Sequence, residues 1–532
     1  MKKVYVISGG TRVYVAPHFA LSAPAHGTVG LDISIRLFEA LLETAGEDPF
    51  EVIPIFTRMA AGGEKNFMFP ELTKNYERGR HTVFEAGLKY VDTNDDLSCL
   101  VDHLLEDPDT RGIVMAAAVC DWEPTMVKGT YRETMPDGFQ ITQRSVDRTN
   151  QAAFAPHFGK DKSRLRTRGP DGQSVNLELR LEPADKIIQR IRKGDKGRKD
   201  VFLVSFKTTA GVSAQETYVA GLKSLKGSSS NLVFANDIQN GHNVVVTPEE
   251  FPYFGDGETP GQKRSDALAK LCQMIIGRTQ LTFTRTAVRT GETADLTTLH
   301  REGKLPPNFV PVLHWLVEND AYKVLPWKDS TSGHFGAFVE GEPYSRVSSI
   351  RKANHNLVFE EGAARILGEQ DGMILAEGGK PSVGEHTQDQ IYTEINKNLA
   401  KDTPGAQVHS IVHFHSPLKK LEKVMHKGQA ALRSAVPIRG QMMYECGSDQ
   451  CGINTATGMM HMKGLTDDGR YAGIWAVHLR GHGPNIAFNR NVDPKVVIEF
   501  IQKHWDVDRK TGGLLSPNVT TSKDWGTDGN IE

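Results

Sequence analysis

With 532 residues, 39% hydrophobic and 24% charged, the chain is too long for one ordinary core and has the composition of a globular protein of at least two domains. A net charge of −2 gives no global drive toward nucleic acid or anionic lipid, and five cysteines are too few for a disulfide scaffold. Lys2-Lys3 lead straight into Val4–Ile7, too short for a secretory apolar region, and no run of about 18 apolar residues occurs, so a cytoplasmic protein without a transmembrane span is expected.

The first half alternates strands and helices. Val4–Ile7 reads as a buried strand, followed by the small-residue turn Ser8-Gly9-Gly10-Thr11. Such a turn after a first strand binds anions through backbone N–H groups or is simply a tight turn. Leu31–Ala45 has the apolar spacing of a helix, Phe50–Phe56 that of a strand, Leu97–Leu105 a helix and Ile113–Val119 a strand ending near Asp121. Residues 125–180 are polar and turn-rich, with Arg164, Arg166 and Arg168 forming either a solvated arm or a flap over a phosphate. Further strands are predicted at Val201–Phe206, which ends at Lys207, at Leu232–Ala235, which ends at Asn236-Asp237, and at Val244–Val246. Helices are predicted at Asp185–Ile191, Ala214–Leu225 and Ser265–Ile276. Repeated β-then-α units imply a mostly parallel sheet with helices on both faces.

These motifs resemble the synthetase part of the phosphopantothenate–cysteine ligase family over most of residues 4–276. The resemblance rests on Ser8-Gly9-Gly10-Thr11-Arg12, the Gly27/Gly30 pair, Ala116-Ala117-Ala118-Val119 with Asp121, Phe206-Lys207 and Ala235-Asn236-Asp237. It implies a Rossmann-like fold, a dimer, and a nucleoside triphosphate with Mg²⁺ held near Gly9, Gly10, Thr11, Asp121, Lys207, Asn236 and Asp237. The chain departs from the family at Ala23, where an intermediate-binding Asn is usual, and at Ala16, where an Asp precedes the proline. An alanine cannot make the lost hydrogen bond, so a much reduced ligase rate is expected.

A threonine-rich stretch and Pro306-Pro307 place a boundary near residues 285–305, although Thr282–Arg285 can also be a last strand of the first domain. Beyond it, helices are predicted at Phe309–Asn319, from Glu385 to about Leu399, at Leu418–Leu432 and at 495–505. Strands are predicted at His334–Val339, Arg346–Arg351, Met373–Leu375, Val408–Phe414 and Ile474–Leu479, and the tail from Gly512 has a disordered composition. His413 and His415, spaced i, i+2 on a strand, share one face and form a ready ligand pair, though two such histidines can also merely pack. His478, His355 and His386 read as packing or surface histidines, and Cys446 with Cys451 as a loop pair.

Four features resemble the class II aldolase/adducin family over most of residues 310–505. They are Ser332-Gly333-His334-Phe335-Gly336-Ala337, Lys380-Pro381-Ser382-Val383-Gly384-Glu385 with Ile391-Tyr392, Val412-His413-Phe414-His415-Ser416-Pro417, and Gly481-His482-Gly483. The resemblance implies an α/β/α domain in which His413, His415 and His482 hold a divalent metal, zinc in the first instance. It also implies Glu385 as acid/base and substrate contacts at Gly333, His334, Gly379, Lys380 and Ser382. Gln388 stands where the family usually has a further His.

The expectation is an α/β protein with a ligase-like domain over 1–290, an aldolase-like domain over 306–510 and a flexible tail over 511–532. It is a homo-oligomer, dimer or tetramer, and a metal-dependent lyase for a small, optionally phosphorylated, hydroxy-carbonyl compound. It has no nucleic-acid or membrane partner. The alternatives are an active ligase with an accessory aldolase-like domain, and a non-catalytic scaffold.

Overall fold

In a computed structural model of the chain, Val4–Ile7 lies within the strand Lys3–Gly10 and is fully buried. The structure describes the chain except at residues 1, 17–18, 44–48, 61, 63–66, 131–132, 135–139, 142–143, 148–175, 323, 325–329, 352, 383, 403–406, 420–421, 427–428, 463–468, 470, 481 and 508–532. The arginines 164, 166 and 168 and the tail therefore lie outside the described residues. Among the described residues no helix is long and apolar enough to cross a membrane.

The structure divides into two units, residues 1–207 with 224–234, and residues 208–223 with 235–532. In the first, strand Lys3–Gly10 runs parallel to both Glu51–Phe56 and Thr110–Ala118, and Phe202–Ser205 extends the sheet beside Gly112–Met115. A parallel strand covered on both faces reads as an unbroken apolar run, which is how Val4–Ile7 reads. Helix Asn94–Glu106 starts in a capping box between Thr93 and Asp96 and buries Leu97, Leu100, Val101 and Leu104 at helical spacing. Each such burial contributes ~1.5–3 kcal/mol.

The small-residue turn expected at Ser8–Thr11 is not a turn. The strand continues through Gly9 and Gly10, in register with Ala117 and Ala118, and the Thr11 N–H donates to the Ala118 carbonyl. These glycines answer to packing: a Cβ at Gly10 would lie 2.0 Å from the Ala23 carbonyl oxygen, and one at Gly9 2.1 Å from the Thr57 hydroxyl.

The second unit is built on a nine-stranded mixed sheet. Its order is Arg285–Arg289, Met373–Glu377, Ala364–Gln370, Arg346–Ser348, His334–Phe338, Ser410–His413, Gly483–Phe488, Ile474–Leu479 and Ile438–Arg439. One face packs Val412, Phe414, Phe335 and Ile486 against helices Phe309–Glu318 and Pro494–His504. The other packs Ile411, Ala487 and Val477 against Ile391 and Ile395 of helix Gly384–Asp402 and Met459 of helix Asp449–Met460. Helices thus cover both faces of a sheet whose strands alternate between two cores.

Three expectations are corrected here. Thr282–Arg285 is not a last strand of the first domain: Thr282–Thr284 lie in no strand, and Arg285 opens Arg285–Arg289, an edge of this sheet parallel to Met373–Glu377. The unit also starts before residues 285–305, because residues 235–285 pack within it. Arg278, fully buried at the end of helix Pro260–Arg278, pairs with Glu249 at 3.1 Å and donates to the carbonyls of Met442 and Gln441. The segment read as a helix over Leu418–Leu432 contains instead the paired strands Glu422–His426 and Gln429–Arg433. Gly428 between them weakens a helix by about 1 kcal/mol relative to alanine, and no strong apolar face compensates.

Candidate metal centre

Three histidines meet beside the sheet. Strand Ser410–His413 lies antiparallel to His334–Phe338 and to Gly483–Phe488, with His413 opposite His334 on one side and Asn485 on the other. His482 arrives on the turn that enters Gly483–Phe488. Gly483, at φ 130°, lets that turn lie against the histidine segment, since a Cβ there would sit 2.3 Å from the Phe414 carbonyl oxygen. Gly333, at φ 100°, does the same on the other side, 2.6 Å from the His413 carbonyl oxygen.

One nitrogen from each of His413, His415 and His482 lies within 4.8 Å of the others, and all three residues are buried. His413 Nδ1 is 2.7 Å from the Pro484 carbonyl oxygen, which fixes the proton on Nδ1 and leaves the Nε2 lone pair exposed to a ligand. That Nε2 is 3.2 Å from His482 Nε2. Two nitrogens bound tetrahedrally at Zn–N distances of 2.0–2.1 Å stand about 3.3–3.4 Å apart. Burial, reinforced by the neighbouring imidazoles of His482, His334 and His415, holds His413 well below the ordinary histidine range. It is therefore neutral, which is the form that ligates. Donor type, tautomer and spacing all fit a late divalent metal with a further position for a substrate.

A fourth imidazole, His334, lies tilted with its ring centroid 4.7 Å from that of His413. Its Nδ1 is 2.8 Å from the Gln388 side-chain nitrogen, and burial pushes its pKa down to about 3. Gln388 thus serves His334, and its Oε1 lies 1.9 Å from where a Cβ on Gly336 would be. Of the other expected substrate contacts, Ser382 N–H donates to the Ser349 carbonyl and Ser349 N–H to that of Phe335, which ties Gly379–Ser382 to the strand of His334. Lys380 is exposed. Glu385 stands in the first turn of helix Gly384–Asp402, and its side chain and that of His386 lie outside the described residues.

His478 is a core residue that receives a hydrogen bond from the Trp505 indole at 3.3 Å. His355, expected at the surface or hydrogen-bonded, is buried with Nε2 3.1 Å from the Gly333 carbonyl. Cys451 is not in a loop but in helix Asp449–Met460, and its sulfur accepts from the Gln441 amide. Burial pushes the pKa of His478 down to about 3 and, against two backbone hydrogen bonds, that of His355 to about 4. Both are neutral when folded, whereas the unfolded chain protonates them below ~6.5. Their contribution is complete above pH ~6.5 and is lost as the pH falls toward 4, at up to ~1.4 kcal/mol per pH unit for each. The urea midpoint at pH 5.5 should accordingly lie below that at pH 7.5, and equal midpoints contradict their burial as neutral groups.

Glu250 is the site neighbour that motif reading missed. Its carboxylate lies 4.0 Å from His415 Nδ1 and accepts from the Ser332 hydroxyl at 2.9 Å. It stands in no motif, and a Glu-Glu pair reads as a surface turn.

In the first unit, Asp121 follows strand Thr110–Ala118, whereas Lys207, expected past a strand end, lies within the neighbouring parallel strand Phe202–Thr209. Asp121 pairs with Lys186 at 2.5 Å, and Lys207 is exposed. Thr11 is fully buried. Its hydroxyl donates to Asn94 at 2.7 Å and accepts from the Cys120 N–H at 2.9 Å, so it serves the fold. In the second unit, Asn236 accepts from the Thr208 hydroxyl at 3.2 Å. Asp237 closes a turn by accepting from the N–H groups of Gly211, Val212, Gln239 and Asn240. Burial raises its pKa, but these bonds and the Thr209 hydroxyl outweigh that and hold it well below the usual carboxylate range.

No family model and no curated protein matches the chain. Among solved structures it is similar to the DNA/pantothenate metabolism flavoprotein from Streptococcus pneumoniae, at 18% identity, covering 46% of this chain and 88% of that one with a TM-score of 0.30. A Cab2 mutant in complex with phosphopantothenate-cysteine gives 16% identity, 52% and 87% coverage and a TM-score of 0.33. The C-terminal domain of the coenzyme A biosynthesis bifunctional protein CoaBC gives 13%, 52% and 95%, and 0.29. Likenesses at these TM-scores do not establish a shared fold.

Proposed function

We propose that the chain is a metal-dependent lyase of the class II aldolase kind, acting on a small hydroxy-carbonyl compound at His413, His415 and His482, with a ligase-like nucleotide-binding domain preceding it. The observation that carries this reading is the buried tri-imidazole cluster, whose ligand atoms lie within 4.8 Å of one another. A divalent ion there, zinc in the first instance, supplies Lewis acidity to a substrate oxygen when bound. His413 holds its Nε2 lone pair in place through the Pro484 carbonyl. The buried walls keep water from competing for the position left to substrate. Glu385, in the first turn of its helix, would take the proton of the substrate hydroxyl as the C–C bond breaks and deliver a proton to the carbon next to the carbonyl; in the reverse direction it takes the proton from that carbon. His334, Gly333, Gly379, Lys380 and Ser382 are proposed to line the substrate. The same reading takes the protein to be a cytoplasmic homo-oligomer.

Hydrogen exchange tests the assignment. Wild-type protein with zinc should exchange the α-hydrogen of one member of a panel of small hydroxy-ketones and their phosphates in heavy water. Glu385→Gln should retain metal and fold but exchange ~10²–10⁴-fold more slowly. Exchange by the variant at near wild-type rate gives the proton to another group, and none by the wild type across the panel sinks the lyase reading.

For the first unit the proposal is nucleotide or phosphate binding near the C-terminal ends of its parallel strands, at Asp121 and Lys207, with Mg²⁺ as the counter-ion. Calorimetric titration with the common nucleoside triphosphates and magnesium should show saturable binding that Lys207→Ala weakens. No heat at millimolar nucleotide leaves this half a structural role.

A further inference from the structure

We propose that Glu250 is the positioning residue of the tri-histidine centre, its carboxylate facing His415 Nδ1 as an electrostatic partner that favours the proton on that nitrogen and so offers Nε2 to a metal. The proposal rests on the metal-site reading above. Glu250 belongs to the loop 247–251 between the paired strands Asn243–Val246 and Pro252–Phe254, far in sequence from the histidines. Its carboxylate oxygen stands 4.0 Å from His415 Nδ1, and both residues are largely buried. At that separation the two form an ion-pair contact longer than a hydrogen bond, and a carboxylate facing the far nitrogen of a metal-binding imidazole favours the proton there and raises the ring's basicity.

Three features show that the loop is built to hold this carboxylate. The same oxygen accepts the Ser332 hydroxyl at 2.9 Å, which sets its rotamer beside His334. The backbone of Glu250 has φ 65°, a left-handed conformation rare for a residue with a Cβ, and Tyr218 donates its buried hydroxyl to the Glu250 carbonyl. The preceding residue, Glu249, is pinned by the buried Arg278 and by the Cys446 N–H at 2.7 Å. An uncommon backbone conformation fixed on several sides is the setting in which strain is kept for a site. Its close approach to the cluster is at His415 Nδ1, so the proposed effect runs through that imidazole.

The test measures Zn²⁺ affinity by competition with a chromophoric chelator, and the visible spectrum of the Co²⁺-substituted protein, for full-length wild type, Glu250→Gln and Glu250→Ala. Glu250→Ala should bind Zn²⁺ ~10–100-fold more weakly and change the Co²⁺ spectrum. Glu250→Gln keeps an oxygen acceptor for Nδ1–H and should fall between the two in affinity, with a near wild-type spectrum. Wild-type affinity and spectrum in both variants overturn the proposal, as do equal losses in both that track a lowered thermal midpoint. If wild type binds no ion that His413→Ala removes, the metal reading itself fails and Glu250 with it. One His413-dependent ion in wild type with no response at Glu250 removes this proposal alone.

Discussion

Replacing His413 by alanine should abolish stoichiometric binding of a divalent ion while leaving the protein folded. The residue sits at the centre of the cluster, with ring centroids 4.4 Å from His482, 5.1 Å from His415 and 4.7 Å from His334. Its loss removes one of three imidazoles and the Pro484 anchor that orients it, leaving two nitrogens where a structural or catalytic zinc has at least three protein ligands. Loss of an outer partner already costs 10–100-fold in affinity, and loss of a direct ligand should cost more. Elemental analysis after dialysis, with affinity measured by chelator competition, reads the effect. A variant that keeps one ion per chain at wild-type affinity removes His413 from the centre.

The second large effect is on stability. Arg278 and Glu249 are fully buried and paired at 3.1 Å, and Arg278 also satisfies two backbone carbonyls. The desolvation cost of such a pair offsets much of its attraction, so the pair itself adds little net stability. Breaking it is another matter. Arg278→Met should destabilise the second unit by ~3–5 kcal/mol, because it leaves the Glu249 carboxylate buried without its partner. Arg278→Met with Glu249→Met should recover most of that loss. Chemical denaturation of the four proteins in a double-mutant cycle measures the coupling, and additive losses contradict the pairing. Because Glu249 precedes Glu250, Arg278→Met should also loosen the carboxylate beside His415.

The elements that sequence conveys well are those with one dominant period. The buried parallel strands, the capped helix after Thr93 and the histidine strand all announce themselves by apolar spacing, but the strand expected over Val408–Phe414 ends at His413, so His415 reaches the cluster from just past it and not by strand alternation. Joining His482 to them needed a motif resemblance, since contacts between distant segments leave no local period. Ser8–Thr11 misled because small residues serve two purposes. Gly9 and Gly10 accommodate close neighbours within a continuing strand, not an open anion turn. The hairpin strands Glu422–His426 and Gln429–Arg433 carry residues that suit a helix almost as well, and pairing decides between the two. Glu250 was hidden for a third reason. Its role depends on a left-handed backbone and on Ser332, which no spacing rule connects.

X-ray absorption at the zinc edge of the loaded full-length protein tests the tri-histidine centre most directly. The account predicts a first shell of nitrogen or oxygen scatterers at about 2.0–2.1 Å, with the outer-shell pattern of about three imidazoles and no sulfur. A sulfur shell near 2.3 Å would move the ion to cysteine and contradict the assignment to His413, His415 and His482.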